Sequence, residues 1–199
     1  HFFNMAANQN DPQAHYTLGT IYHEGKYVQP DIYKAVKYLT FSANQNDRRA
    51  QTYLGEIYSD EQSPLRDYDK AIYYFQLAAN NGEPTAQFLL GVYYEKGFYF
   101  KQDINKAIHY YLLAANNNYS EAMYYLAILF NEGKYVAHDL NKAIFYYTLA
   151  ANYDHPKAQI ILGLTYYEGI YVSKDIQKGL DLIKRSAYNR DTHARFVLG

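Results

Sequence analysis

Residues 14–43 read AHYTLGTIYHEGKYVQPDIYKAVKYLTFSA. In the first half Ala14, Leu18, Ile21, Tyr22 and Gly25 step by three or four, the spacing of one apolar stripe on a helix. Ala35, Val36, Tyr38, Leu39 and Ala43 step in the same way in the second half. Between them Gly25-Lys26-Tyr27-Val28-Gln29-Pro30 is too short and too broken to be another element. The stretch predicts a helical hairpin, residues 12–24 against residues 32–45.

The hairpin recurs. Alanine stands at 14, 50, 86, 122, 158 and 194, a constant interval of 36 residues. Leu18, Leu54, Leu90, Leu126, Leu162 and Leu198 keep the same register, followed by Gly19, Gly55, Gly91, Ala127, Gly163 and Gly199. Tyr22, Tyr58, Tyr94, Phe130 and Tyr166 form a third column, and Asp31, Asp67, Asp103, Asp139 and Asp175 a fourth. Lys34, Lys70, Lys106, Lys142 and Lys178 come next, then Ala35, Ala71, Ala107, Ala143 and Gly179, then Tyr38, Tyr74, Tyr110, Tyr146 and Leu182. No insertion interrupts a row. A fixed period of this length is the signature of one supersecondary unit stacked on itself.

The helix ends are legible too. Gly25, Gly97, Gly133 and Gly169 follow the first stripe, where a left-handed stop residue is wanted. The Asp31 column precedes the second stripe, where a carboxylate accepts free backbone N–H groups. The second stripe stops at Asn10, Asn46, Gly82, Asn118 and Asp154, residues that tolerate positive φ, and Pro12, Pro84 and Pro156 open the next helix. The fold class is therefore all-α: an α/α superhelical solenoid of tandem helix-turn-helix repeats, extended and curved. A single array is expected over residues 1–199, with a partial helix at 1–10, repeats at 11–46, 47–82, 83–118, 119–154 and 155–190, and a partial helix at 191–199. Neither end has the polar cap that a repeat array needs, which predicts a fragment of a longer protein able to pack end to end through its terminal helices.

These residues resemble the Sel-one-like repeat family, a relative of the tetratricopeptide repeats with the pattern A-x-x-x-L-G-x-x-Y-x-x-G-x-x-V-x-x-D-x-x-K-A-x-x-Y-x-x-x-A-A. Ala14, Leu18, Gly19, Tyr22, Gly25, Val28, Asp31, Lys34, Ala35, Tyr38 and Ala43 stand at those spacings, with Ser42 at the first alanine of the closing pair. The resemblance implies an α/α superhelix of the kind that serves as an adaptor in signalling, protein quality control, secretion or host–microbe contact. Four departures are visible. Glu61 replaces the stop glycine and Pro64 the valine of the second row, so the loop at 59–66 is expected to run differently. Tyr27, Tyr99, Tyr135 and Tyr171 stand where the family often has a second glycine. Gly179 and Leu182 replace Ala and Tyr, which predicts a slightly weaker last helix. The chain also lacks the cysteines of the disulfide-stapled bacterial members.

Composition narrows the function classes. The 199 residues carry a net charge of −1, which offers no electrostatic pull toward nucleic acid or an anionic membrane. No apolar run reaches transmembrane length. The absence of cysteine is compatible with a reducing compartment such as the cytoplasm, without assigning one. The Asp–Lys columns recur in every row, whereas a catalytic pair would occur once, so they read as helix caps. The seven histidines have no i, i+4 metal-ligand pairing and are expected at the surface or rim. With no Walker loop and no G-x-S-x-G or G-x-G-x-x-G motif, the sequence predicts no catalytic residue, no cofactor, no metal and no enzyme activity.

Constant columns build a scaffold, and varying ones are free for recognition. On the first helix of each row the columns of residues 13, 16, 20 and 23 vary most. By analogy with tetratricopeptide arrays they are expected to line a concave groove. The candidates are Tyr16, His23, Arg49 and Glu56 in the first two rows; Phe88, Val92 and Glu95 in the third; Tyr124, Ile128 and Asn131 in the fourth; and Ile160, Leu164 and Tyr167 in the fifth. From the third row onward this face is mainly apolar, as binding surfaces for proteins often are. The predicted function is a scaffold holding a peptide or partner protein there. The alternative is a structural spacer, or a regulator in cis of a domain elsewhere in a larger protein.

Overall fold

The computed structural model describes residues 10–188. Among them lie ten α-helices and no strand: α1 Pro12–Glu24, α2 Ile32–Asn44, α3 Arg48–Ser59, α4 Tyr68–Asn80, α5 Pro84–Lys96, α6 Ile104–Asn116, α7 Ser120–Glu132, α8 Leu140–Asn152, α9 Pro156–Glu168 and α10 Ile176–Tyr188. The two helices expected from residues 14–43 thus form within a residue of their predicted ends. The partial helices expected at 1–10 and 191–199, and any packing through them, lie outside the described residues except for Asn10. Contacts group the chain into two compact units, divided between Leu90 and Gly91 inside α5. In the first, α1 packs on α2, α2 on α3 and α3 on α4. In the second, α6 packs on α7, α7 on α8, α8 on α9 and α9 on α10.

One local mechanism sets every hairpin. The carboxylates of Asp31, Asp67, Asp103, Asp139 and Asp175 each accept the N–H of the lysine three residues on, at 2.9–3.1 Å. The backbone N–H of each Asp reaches back to the carbonyl of Tyr22, Tyr58, Tyr94, Phe130 or Tyr166, at 2.9 Å in every case. One bond starts the second helix and the other closes the loop onto the end of the first. Where Glu61 replaces glycine the chain leaves α3 through an extended Asp60, followed by turns from Ser63 to Asp60 and from Arg66 to Ser63. The second helices end on left-handed Asn46, Asn118 and Asp154, with φ of 63°, 63° and 58°.

The invariant columns are the core. Ala14, Ala50, Ala86, Ala122 and Ala158 are almost completely buried, as are Leu18, Leu54, Leu90, Leu126 and Leu162. Around this apolar centre the aromatic columns stack in parallel. Tyr22 lies on Tyr38, Tyr58 on Tyr74, Tyr94 on Tyr110 and Phe130 on Tyr146, with centroids 5.6–5.9 Å apart and planes within 7°. The repeated lysines lie over the first ring of each pair, 5.0–5.3 Å from its centroid. Lys34, Lys70 and Lys142 also pair with their capping Asp at 3.1, 2.9 and 3.3 Å. The Asp–Lys columns are thus a capping and ring-covering device.

Two departures from the repeat have structural reasons. Ser42 and Ser186 stand in an alanine column, and each donates its hydroxyl to the carbonyl of the proline that opens the first helix of its row, Pro12 at 2.9 Å and Pro156 at 3.1 Å. Gly179 faces Gly163 across the α9–α10 seam. A Cβ on Gly163 would stand 2.9 Å from the Gly179 carbonyl oxygen, against 3.2 Å for Gly19 and Ala35 and 3.3 Å for Gly91 and Ala107. With hydrogen instead of methyl at 179, the last two helices approach more closely than their counterparts.

Two histidines depart from the surface or rim position expected of them. His15 is 7% exposed, its ring stacked 3.8 Å from Phe41 and its Nδ1 2.8 Å from the Asp11 carbonyl oxygen. His155 is 5% exposed and caps α9, Nδ1 accepting the Ala158 N–H at 3.2 Å. An acceptor at Nδ1 leaves the proton on Nε2, which donates to Glu121 at 2.9 Å and holds that carboxyl below its usual range. Period and composition do not reveal such pairs, since the partner lies 34 residues away.

Candidate protein-binding surface

In the first unit three of the expected residues, Tyr16, Arg49 and Glu56, converge on a polar pocket of about 190 Å³ that Tyr53 and Glu83 complete. The Arg49 guanidinium lies 4.8 Å over the Tyr16 ring and is held by Asp47 at 2.9 Å and Gln13 at 2.6 Å. Its Nε and Nη2 donors are therefore engaged inside the chain. Desolvation by the pocket wall pushes the Glu56 carboxyl up, although the residue is open at the surface. His23 bonds the Tyr53 hydroxyl at 3.0 Å and meets that ring edge-on. Phe88, expected in the groove, is instead buried at 9% exposure.

In the second unit the stripe is narrower than the sequence implied. Ile160 is 4% exposed and packs with Ile183, and Glu95 is 7% exposed, its carboxylate accepting the Tyr111 hydroxyl at 2.6 Å and pairing with Lys96 at 2.9 Å. The column of residue 16 lies in a seam between neighbouring first helices: Tyr16 meets Tyr53, and Tyr124 stacks on His155 with centroids 4.3 Å apart. Ile160 packs inward on Ile183 of α10 and Phe88 is buried, so neither side chain faces a ligand. Val92, Tyr124, Ile128 and Leu164 are half-buried, while Asn131 and Tyr167 are exposed.

Leu164 and Asn131 share a further feature, a groove of about 380 Å³. Its walls are Leu140 and Ile144 of α8, Ile161 and Leu164 of α9, and Ile170 in the following loop, with Tyr147, Glu168 and Tyr171 supplying polar atoms. Tyr147 is 6% exposed, and burial pushes its hydroxyl up to about 12. Among the described residues no group of three or more His, Asp or Glu side chains stands in a metal-binding arrangement, and no helix is long and apolar enough to cross a membrane.

The Sel1 repeat model matches this sequence five times, over residues 12–47, 48–83, 84–119, 120–154 and 156–191. The chain belongs to the Sel1 repeat family. Its fold is similar to that of a Sel1 repeat protein from Oxalobacter formigenes, with 30% identity, a TM-score of 0.86, and coverage of 93% of this chain and 76% of that one. It is also similar to c5321, a protective antigen of uropathogenic Escherichia coli that displays an SLR fold. There the identity is 26% and the TM-score 0.80, over 98% of this chain and 42% of the antigen. The cysteine-rich protein B of Helicobacter pylori shares the fold at 24% identity and a TM-score of 0.52, over 69% of this chain and 99% of that protein. A comparison with curated proteins finds no match. Sel1 repeat proteins generally mediate protein–protein interactions, and their solenoid is typically a non-catalytic scaffold.

Within the Sel1 frame, sequence reasoning missed Tyr53 and Glu83 in the polar pocket and Tyr147, Ile161, Glu168 and Tyr171 in the groove. One signal was present: Ile161 closes a varying column of Thr17, Tyr53, Leu89 and Tyr125, and Tyr147 follows Phe75 and Tyr111 in its own. Tyr171 also stands where the family often has glycine, and its φ is 63°. An aromatic residue in the left-handed region is strained, so Tyr171→Gly is expected to raise unfolding stability by about 1 kcal/mol in a urea titration. No change, or a loss, would show that contacts of the ring offset the strain.

Proposed function

We propose that this chain is a non-catalytic scaffold that holds a peptide or partner protein on the open face of its first helices, the concave face of a superhelical array. The observation that carries the reading is that Ile128, Leu164 and Tyr167 stay partly or fully open although the columns beside them close into the core. These residues vary along the repeat while the scaffold columns do not, and although Leu164 packs in part on the Ile160–Ile183 cluster, the repeat itself does not require them. Apolar and aromatic anchors of this kind supply most of the energy at protein interfaces. The Asp and Lys residues that recur are committed to capping, which leaves them outside this role.

The test selects ligands from a random peptide library displayed on phage, using the whole chain as bait. Ile128→Ser and Tyr167→Ala together are expected to weaken the selected peptides at least about tenfold, the scale of a lost anchor, with far-ultraviolet circular dichroism unchanged. Undiminished binding would remove the face from the proposal.

A further inference from the structure

The groove beside Leu164 lies where the residue types change between rows, and comparison between rows shows how it arises. In the third row the hydroxyl of the fully buried Tyr111 donates to Glu95, and the ring of Tyr125 from the fourth row lies 5.7 Å from the Tyr111 ring. One row later the same three positions hold Tyr147, Asn131 and Ile161. The shorter Ile161 leaves open the space that a tyrosine would occupy, and Asn131 stands at the surface rather than under the ring. Tyr147 remains more than nine-tenths buried, lines the groove, and has no hydrogen-bond partner for its hydroxyl among the described residues. The hydroxyl is not among the buried unpartnered atoms, so it still meets solvent in the groove, where a ligand that covers it must supply a hydrogen bond.

The surrounding charge selects the ligand. Asn131 and Glu132 end α7 and Glu168 ends α9, so two helix C-termini with their partial negative charge lie at this place. Neither Glu132 nor Glu168 makes a salt bridge among the described residues. A purely apolar side chain in the groove would leave the Tyr147 hydroxyl, the Asn131 amide and the Glu168 carboxylate desolvated without partners. An acidic one would meet Glu168 and both helix ends. A long basic side chain satisfies both halves: its methylene stem lies on Leu140, Ile144, Ile161 and Leu164, and its cationic head reaches the polar atoms.

We infer that the groove between α8 and α9 receives a lysine or arginine side chain from a segment of a partner protein. This rests on the scaffold reading above and adds the chemistry of the partner. The groove volume of about 380 Å³ lies at the lower end of the range for ligand pockets, suited to one inserted side chain rather than a folded element.

The same displayed peptide library tests it. Selected peptides are expected to be enriched in Lys or Arg, and replacing that residue by norleucine is expected to weaken them about tenfold or more. Glu168→Gln and Tyr147→Phe, which remove a charge and a hydroxyl without changing shape, are each expected to weaken binding to a similar degree. Ile161→Tyr, which puts the residue type of Tyr125 in the fourth row into the groove, is expected to abolish it. Peptides without basic enrichment, or ones indifferent to all three variants, would overturn the inference. If such peptides are still displaced by Ile128→Ser with Tyr167→Ala, the scaffold reading survives alone; if no peptide is retained, both readings fall.

Discussion

Replacing Tyr111 by alanine is expected to cost about 3–5 kcal/mol of unfolding free energy, the range for deleting a fully buried aromatic ring. No part of Tyr111 is exposed, and its ring lies against Gly91, whose missing side chain makes room for it: a Cβ there would stand 2.6 Å from two ring carbons. Its hydroxyl also provides one of the two side-chain partners of the buried Glu95. The milder Tyr111→Phe isolates that bond and is expected to cost about 1–3 kcal/mol, because a buried carboxylate loses its donor while the packing stays. Urea titration followed by circular dichroism measures both. A Tyr111→Phe variant as stable as the parent would show that the bond contributes nothing. Burial and the neighbouring carboxylate raise the pKa of the Tyr111 hydroxyl from its ordinary value of 10.0. A raised folded pKa favours the protonated state, so the associated stability is complete below pH 10.0 and is lost as pH rises beyond it. The phenylalanine variant should lose less in that alkaline range.

Gly179→Ala is expected to destabilise the last hairpin, against the trend of the repeat, in which alanine fills this column four times. Helix propensity alone favours the change by about 1 kcal/mol. The new methyl would stand 2.6 Å from the Gly163 carbonyl oxygen and 2.8 Å from the Tyr167 backbone N. Both are backbone atoms that cannot swing aside, so α9 and α10 must separate. Overpacking of this kind costs about 1–3 kcal/mol, and two backbone atoms under 3.0 Å place it in the upper part of that range, a net loss of up to about 2 kcal/mol. The effect should be local, since each repeat leans only on its neighbours, so hydrogen exchange of amides in α9 and α10 reports it best. Slower exchange in the alanine variant would mean that propensity outweighs the contact and that the closer approach is not required.

Residues 14–43 and their recurrence were enough for the class, the helix borders and the identity of the scaffold columns. Ala50, Leu54 and Asp67 could be assigned their roles because helix periodicity, capping and burial are local properties, repeated five times over. The ligand face was only partly legible. Tyr16, Phe88, Tyr124 and Ile160 share one varying column, yet two of them are buried. Variation between rows marks a position as free of the repeat, not as free of contacts. Glu95 shows the same limit, since a polar residue in an exposed column turned inward once Tyr111 offered a donor at 2.6 Å.

From sequence alone came the all-α repeat, its period, its loop chemistry and membership in a class of interaction scaffolds. Tertiary structure decided which varying side chains remain available, why Gly179 is small, and where a groove opens beside Tyr147. Local pattern suffices for the first group because each helix and cap closes within a few residues. The second group depends on pairs such as Tyr147 and Ile161, or His155 and Glu121, whose distance in space is set by the packing of one hairpin on the next.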